Sequence, residues 1–409
     1  MELGKMELEK ISKEYGDAFY LLDTDRLKNN YVELDTEFRN IYPKFKISYS
    51  YKTNYVPEVC KVIDDLGGYA EVVSDMECEI AERIGVEKGH IILNGPCKKK
   101  STMEKLLLNN GIVNVENMRD FLIIKEIAAE HPDCRLGIGI RCNFEIGDGV
   151  VSRFGFDVVG DGFKNLLLEI EDTKNIWIRG LHCHFASRDL EYWPKRAEKI
   201  VEIAKKHLAC IPEYISLGGG IFGKMPESLK KQFASDIPLY SDYARETATV
   251  FQREYGKYPE GERPLLFIEP GSALAGDIME FACRVLNIKE VGGKKIATVL
   301  GSMYNINPTL NKKNPPLKVV PMGQYEPAMQ TACDIAGYTC IESDYLYRGY
   351  EGELAEGDFL IFGNAGSYSV VLKPPFILPN FPIIKYQEES IEEIKRAENF
   401  DDIFHTYKF

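Results

Sequence analysis

Trp177-Ile-Arg-Gly-Leu-His-Cys-His184, an amphipathic stretch over 192–208, and Tyr214-Ile-Ser-Leu217 running into Gly218-Gly219-Gly220 make one strand, helix, strand repeat. Short runs rich in β-branched and aromatic residues read as strands, and longer stretches with a 3.6-residue apolar period read as helices. Working outward, the unit recurs: strand-like runs at 46–50, 69–73, 91–94, 113–115, 136–142, 177–184, 214–217 and 265–269, with amphipathic stretches at 76–84, 103–108, 118–129, 192–208 and 240–255. Strands that alternate with helices imply a parallel sheet. Eight of them close into an α/β fold of the TIM (β/α)8 barrel type; an open doubly wound sheet gives a similar local pattern, and the count favours the barrel.

After Asp277 the texture changes to extended runs at 281–288, 295–301, 317–321, 358–362 and 368–372, broken by Gly, Pro and Asn. That is the signature of an all-β domain. The run at 18–22 precedes the barrel and is assigned to this domain. The expected organisation is therefore an N-terminal segment 1–24 joining the β domain, a barrel over 25–277 and a C-terminal β domain over 278–409. The acidic tail 387–402 reads as a solvated helix.

With 409 residues and 44 % hydrophobic content the chain can bury a large core. Its formal charge of −13 argues against nucleic acid or an anionic membrane as partner, and for a small polar substrate. The first residues, Met-Glu-Leu-Gly-Lys-Met-Glu-Leu-Glu-Lys, lack the apolar core of a secretory leader, and no apolar run approaches the roughly 20 residues of a membrane span. Ten cysteines without a Cys-x-x-Cys pair suggest reduced thiols in a cytoplasm. His182 and His184 flank Cys183 and share one side of a strand, but no carboxylate lies at ligand spacing, so no metal is expected.

In such a barrel reactive groups gather at the C-terminal strand ends. There stand Lys52 and Asn54; Glu71 and Ser74; Arg141, with Ser152-Arg153-Phe154-Gly155 beyond; His182, His184 and Ser187; Gly218, Gly219 and Gly220; and Glu269-Pro270-Gly271-Ser272. Three glycines let a backbone turn sharply and aim several N–H donors at one anion, although glycines in a loop are as often only a turn. A lysine between aromatic residues is expected to be partly desolvated, which frees a nucleophilic amine; most lysines are simply solvated. His184 alone reads as a satisfied core histidine, and Glu269 alone as a surface carboxylate. Their shared rim carries the case.

Several ordered motifs resemble those of the pyridoxal phosphate enzymes with the alanine racemase fold, and within them the diaminopimelate and ornithine decarboxylases. Tyr-Lys52-Thr-Asn resembles the family's lysine motif, and Ala-Glu71-Val-Val-Ser74 its second-strand motif, with Glu where Asp is usual. Gly180-Leu-His-Cys-His184-Phe-Ala-Ser187, Leu-Gly218-Gly-Gly220 and Glu269-Pro-Gly-Ser resemble the ring-stacking, phosphate and pyridine-nitrogen motifs. Gly337-Tyr-Thr-Cys340-Ile-Glu-Ser-Asp344 resembles the catalytic cysteine segment, and Asn364-Ala-Gly-Ser-Tyr368 the segment whose tyrosine contacts the cofactor phosphate.

The resemblance implies decarboxylation of an amino acid with pyridoxal 5'-phosphate, held by Lys52 as a Schiff base. It assigns Glu71, Arg141, His184, Ser187, Gly218, Gly219, Gly220, Glu269, Gly271 and Tyr368 to cofactor binding. Cys340 is the implied proton donor to the α-carbon. It also implies a head-to-tail homodimer with shared active sites, where Cys340 and Asp344 work in trans and Lys52 in cis. The bland reading of Cys340 is a buried small hydrophobe.

The match departs where substrate would be gripped. Diaminopimelate decarboxylases carry an arginine after Glu-Pro-Gly and another before Pro-x-Leu-Tyr; here those places are Ser272 and, in Asn307-Pro-Thr-Leu-Asn311, Asn307. The usually acidic residue after the cysteine is Ile341, leaving Glu342 and Asp344 as partners for a distal amine. The resemblance therefore implies a specialised biosynthetic substrate, such as the carboxynorspermidine, siderophore-type or carrier-bound amino acids handled by related enzymes. A racemase on the same fold and a non-catalytic regulator are the alternatives; the cysteine segment speaks against the first, the complete set of cofactor residues against the second.

Overall fold

The computed structural model describes residues 3–310, 312–387 and 390–408. Asn311 of the Asn307 segment, Glu388 and Glu389 of the acidic tail, and Met1, Glu2 and Phe409 lie outside the described residues. The chain divides into two compact units, one formed by Lys28–Phe222 and Pro238–Ala273, the other by Met1–Leu27, Gly223–Ile237 and Leu274–Phe409.

The first unit is built on eight parallel strands: β1 Phe45–Ser50, β2 Tyr69–Val72, β3 Ile91–Leu93, β4 Ile112–Val115, β5 Leu136–Asn143, β6 Ile176–His182, β7 Tyr214–Ser216 and β8 Leu265–Ile268. They pair in the order β4-β3-β2-β1-β8-β7-β6-β5. A further pairing of β4 with β5, Asn114 opposite Gly139, closes the ring into a TIM barrel. Between strands run α1 Pro57–Asp65, α2 Asp75–Arg83, α3 Lys100–Leu107, α4 Met118–Glu130, α5 Asp161–Glu171, α6 Tyr192–His207 and α7 Tyr240–Tyr255. Side-chain caps fix the starts of two: Ser74 accepts the Glu77 N–H and Asn117 the Asp120 N–H.

Ile92, Ile112, Tyr214 and Phe267 form a buried cluster from β3, β4, β7 and β8. Tyr214 fits only because two neighbours are glycine. A Cβ on Gly180 would come within 2.4 Å of its ring, and one on Gly139 within 1.9 Å of its hydroxyl and of Asn114 Oδ1. The lumen therefore carries polar groups at mid-height, and those groups reach the site above.

The second unit holds a sheet in the order Tyr345–Leu354, Ala328–Ala336, Lys294–Val299, Met279–Val291, Ala18–Leu22, Ile383–Gln387, Ser390–Lys395. Ala18–Leu22 lies inside it, antiparallel to Met279–Val291 and parallel to Ile383–Gln387. Phe359–Phe362 pairs with Met279–Val291 and with Leu317–Val320. Two expectations are corrected. Residues 368–372 form bends and a turn, since Tyr368 takes φ +58° and the Leu372 N–H returns to the Ser369 carbonyl. The described part of the 387–402 tail is mainly strand, because the free side of Ile383–Gln387 pairs with Ser390–Lys395 and Ile391 packs on the unit's apolar cluster; helix is confined to Phe400–Phe404.

Candidate active site

Lys52 sits in a single 3-10 turn, Tyr51–Thr53, that follows β1 directly. Its Nζ lies 2.5 Å from Glu71 Oε2, on a lysine side chain that is 32 % exposed and a glutamate that is 1 % exposed. The flanking Tyr49 and Tyr51 are buried against each other, ring centroids 6.0 Å apart. The amine's setting is thus ionic, not the aromatic enclosure that the sequence suggests.

From Glu71 a chain of hydrogen bonds crosses the barrel mouth. Asn94, the residue after β3, donates through Nδ2 to Glu71 Oε1 at 3.0 Å and to Glu269 Oε1 at 3.2 Å. Glu269, at the end of β8, also receives the Ser216 hydroxyl at 2.9 Å and His182 Nε2 at 3.1 Å. Burial opposes a charge on Glu269, but His182 outweighs it and holds the carboxyl well below its usual range. A buried carboxylate with three donor groups is ionised and fixed in place.

His184 Nδ1 lies 3.4 Å from Glu269 Oε2 and 3.1 Å from the Gly219 amide nitrogen. A backbone N–H can only donate, so Nδ1 is an acceptor and its contact with Glu269 is not a hydrogen bond. Burial, helped by the positive charges of Lys52 and Arg141, outweighs the pull of Glu269 and lowers His184 to about 4. The ring is neutral at pH 7. It keeps 27 % of its side chain exposed, leaving a flat aromatic surface for a guest.

The glycine loop is shaped by close approach. Cβ atoms on Gly218, Gly219 and Gly220 would meet the carbonyl oxygens of Cys183, Glu269 and Ser187 at 2.5, 2.5 and 2.9 Å, and Gly218 and Gly220 take φ +70° and +99°. Side chains are excluded there. Arg196, buried, donates to the Gly219 carbonyl at 2.9 Å and to that of Ser187. Among the described residues no acceptor meets the N–H of Gly220 or Ile221, so the loop presents two unspent donors. No helix N-terminus assists them; the next α-helix is the four-residue Glu227–Lys230.

Of the other expected residues in this unit, Arg141 pairs with Glu116 at 3.1 Å and lies over the Phe154 ring. Gly271 packs against Thr53, where a Cβ would fall 2.0 Å from Oγ1. Ser272 opens the short helix Ser272–Ala275. In the second unit Cys340 and Glu342 are exposed in the turn between Ala328–Ala336 and Tyr345–Leu354. Asp344 is buried and accepts from Ser302 Oγ, the Met303 N–H, and the N–H and Oγ1 of Thr339, at 2.6 to 3.3 Å. Both oxygens are thus engaged within this unit, Oδ1 by Ser302 and Met303 and Oδ2 by Thr339, where the expectation has them facing substrate. Asn307 accepts from Thr309 Oγ1 and lines a recess with Met303, Ile306, Leu310, Lys313 and Tyr345. Tyr368, half-buried, holds left-handed backbone, a conformation rare for an aromatic residue.

Sequence reading missed Asn94, Asn114, Ser216, Tyr214 and Glu77. A polar residue inside an otherwise apolar strand, such as Asn114 in Ile-Val-Asn-Val, was the available signal, since a buried amide needs partners. The ground for excluding a metal also falls: β8 supplies the carboxylate, and ligand atoms of His182, His184 and Glu269 lie within 4.8 Å of one another. These atoms are, however, already engaged by Gly219, Asn94, Ser216 and each other.

Glu77, in the first turn of α2, is buried, and burial raises its carboxyl from 4.5 to about 7, with Glu71 adding to the rise against the Val73 N–H and Lys52. A raised acid keeps its proton longer in the native state, so its stabilising contribution is full below the unfolded value and is lost as pH rises through 7. Glu77→Gln should therefore gain stability relative to the parent between pH 4 and pH 8, by about 3 kcal/mol, in denaturant titrations at both pH values. A difference independent of pH would contradict the assignment.

A covalent amine, an anion cradle, a flat contact and a carboxylate for a ring nitrogen are what pyridoxal phosphate requires. Lys52, the Gly220 and Ile221 amides, His184 and Glu269 offer those four things, so the residues present fit the group.

A family model described as pyridoxal-dependent decarboxylase, pyridoxal binding domain, matches residues 29–276. The diaminopimelate decarboxylase of Methanothermobacter thermautotrophicus is 25 % identical, over 98 % of this chain and 94 % of its own length. An L-glutamyl-[BtrI acyl-carrier protein] decarboxylase of Niallia circulans is 26 % identical over 99 % and 97 %. Among solved structures, a diaminopimelate decarboxylase from M. jannaschii superposes with a TM-score of 0.86 at 22 % identity, covering 98 % of this chain and 94 % of that one.

Proposed function

This chain belongs to the pyridoxal-dependent decarboxylase family, and from that premise we propose that it decarboxylates an amino acid whose distal end lacks the charged carboxylate of diaminopimelate. One observation carries the substrate reading: the two places where diaminopimelate enzymes present arginines hold neutral Ser272 and Asn307, and Asn307 is bonded to its own turn by Thr309. Two charge-assisted contacts, each worth about 1.5–3 kcal/mol, are missing. The Niallia relative, named for a glutamyl group on a carrier protein, supports a masked or conjugated distal end.

Pyridoxal phosphate, when bound, supplies the electron sink that makes loss of the α-carboxylate possible. Lys52 would hold it through Nζ, whose ammonium form pairs with the Glu71 carboxylate when the site is free. Ionised Glu269 would serve the ring nitrogen, and neutral His184 would offer its face to the ring. The Gly218–Gly220 loop, which packs on Ser187, would serve the phosphate, and the family resemblance assigns Gly271, Arg141 and Tyr368 to the cofactor as well. Cys340, displayed by the turn that Asp344 ties together, delivers a proton to the α-carbon from a second copy of the chain. Glu342 beside it is the group left to receive a distal amine.

A panel of diaminopimelate, lysine, ornithine, other L- and D-amino acids, acylated diamines and aminoacyl thioesters of a carrier protein, assayed for carbon dioxide release, tests this. Diaminopimelate should be at least about 100-fold poorer in kcat/KM than the best substrate. Turnover of diaminopimelate as the best substrate would overturn the proposal.

A further inference from the structure

Asn94 hydrogen-bonds both carboxylates of the site through one amide nitrogen. Glu71 and Glu269 are each 1 % exposed. Lys52 offsets Glu71 and His182 offsets Glu269 from outside the pair, and the space between the two buried carboxylates needs a donor as well. The Asn94 NH2 group is that donor, but only in one of its two flip states. With the amide reversed, its oxygen would face both carboxylates.

The flip is set from below. Asn94 Oδ1 accepts from Asn114 Nδ2 at 2.8 Å, and Asn114 Oδ1 accepts from the Tyr214 hydroxyl at 2.7 Å. Burial raises the Tyr214 phenol far above its ordinary value, so it keeps the proton that it donates to Asn114 Oδ1. Gly139 and Gly180 leave the room in which Tyr214 and Asn114 meet. Each link in the series therefore orients the next, from phenol to carboxylates.

We propose that Asn94 is a positioning residue, keyed by Asn114 and Tyr214, that keeps Glu71 at the Lys52 end and Glu269 at the ring-nitrogen end ionised together. This rests on the reading of Lys52 and Glu269 given above, but its test does not require that reading to hold. In this arrangement the charge at either end of the site is felt at the other through a single amide.

Infrared difference spectroscopy of the cofactor-free protein reads it directly. Asn94→Leu, close in volume and without a donor, should acquire at pH 7 a protonated-carboxyl C=O stretch of about one group per chain, absent from the parent and removed by adding Glu71→Gln or Glu269→Gln. Tyr214→Phe keeps the ring and its packing, and should show a smaller band of the same origin; it serves if Asn94→Leu does not fold. Titration of the parent and variants with pyridoxal phosphate should show affinity weakened by at least about 10-fold in Asn94→Leu, because the charge on Glu269 is shared with a proton. Absence of the carboxyl band in the folded variants overturns the proposal. A band in variants of a parent that binds no cofactor upholds it while refuting the cofactor reading.

Discussion

Glu269→Gln is expected to leave the barrel folded and to lower kcat by roughly 10²–10³-fold, the scale lost when a preorganised electrostatic partner is removed. The carboxylate is buried at the end of β8, and its charge is held there by His182, with Ser216 and Asn94 as further donors. Glutamine fills the same volume. Its Oε1 can still accept from Ser216 and Asn94, so packing and most hydrogen bonds survive while the negative charge does not. An interaction that matters only as charge develops during reaction lowers kcat and leaves KM nearly unchanged. Steady-state kinetics on the substrate identified by the carbon dioxide panel, with a melting curve as control, checks this. A kcat within about threefold of the parent would remove Glu269 from the mechanism.

Lys52→Ala should abolish turnover, by at least about 10³-fold, since loss of a covalent nucleophile is seldom compensated. It should also destabilise the protein. The substitution leaves Glu71, 1 % exposed, without its cation, and breaking a fully buried pair costs about 3–5 kcal/mol. The lysine side chain is 32 % exposed, so water reaches that end of the pair and the loss should be about 1–3 kcal/mol. Adding Glu71→Gln should return stability without returning activity. Chemical denaturation of the single and double variants separates the two roles; equal stability of parent and Lys52→Ala would mean that the pairing carries no weight.

Much of this site is legible in the sequence because the fold does the assembling. Once strands alternate with helices and close into a barrel, strand C-termini share one rim, so Lys52, Glu71, His184, Gly218 and Glu269 are neighbours whatever their spacing in the chain. The strands themselves stand out as short apolar runs, and β7 ends at Ser216 beside the glycines that follow. What stayed hidden depends on register. Asn94 reaches Glu71 because β2 pairs with β3, Val72 opposite Leu93, and reaches Glu269 only because β8 closes on β1. Asp344 resembles a substrate ligand, but the fold brings Ser302 and Met303 to one of its oxygens while Thr339 of its own turn takes the other. In the second unit, pairing partners overrule local pattern: the free edge of Ile383–Gln387 draws Ser390–Lys395 into a strand where its charges alone suggest a helix.

No helix among the described residues is long and apolar enough to cross a membrane. The proposed chemistry centres on a bond between Lys52 and the cofactor. Borohydride reduction of the purified, cofactor-loaded protein, followed by proteolysis and mass spectrometry, locates that bond. The account predicts a reduced phosphopyridoxyl adduct on the peptide containing Tyr51-Lys52-Thr53, stoichiometric with the chain and absent without prior loading. An adduct on another lysine, or none, would contradict it.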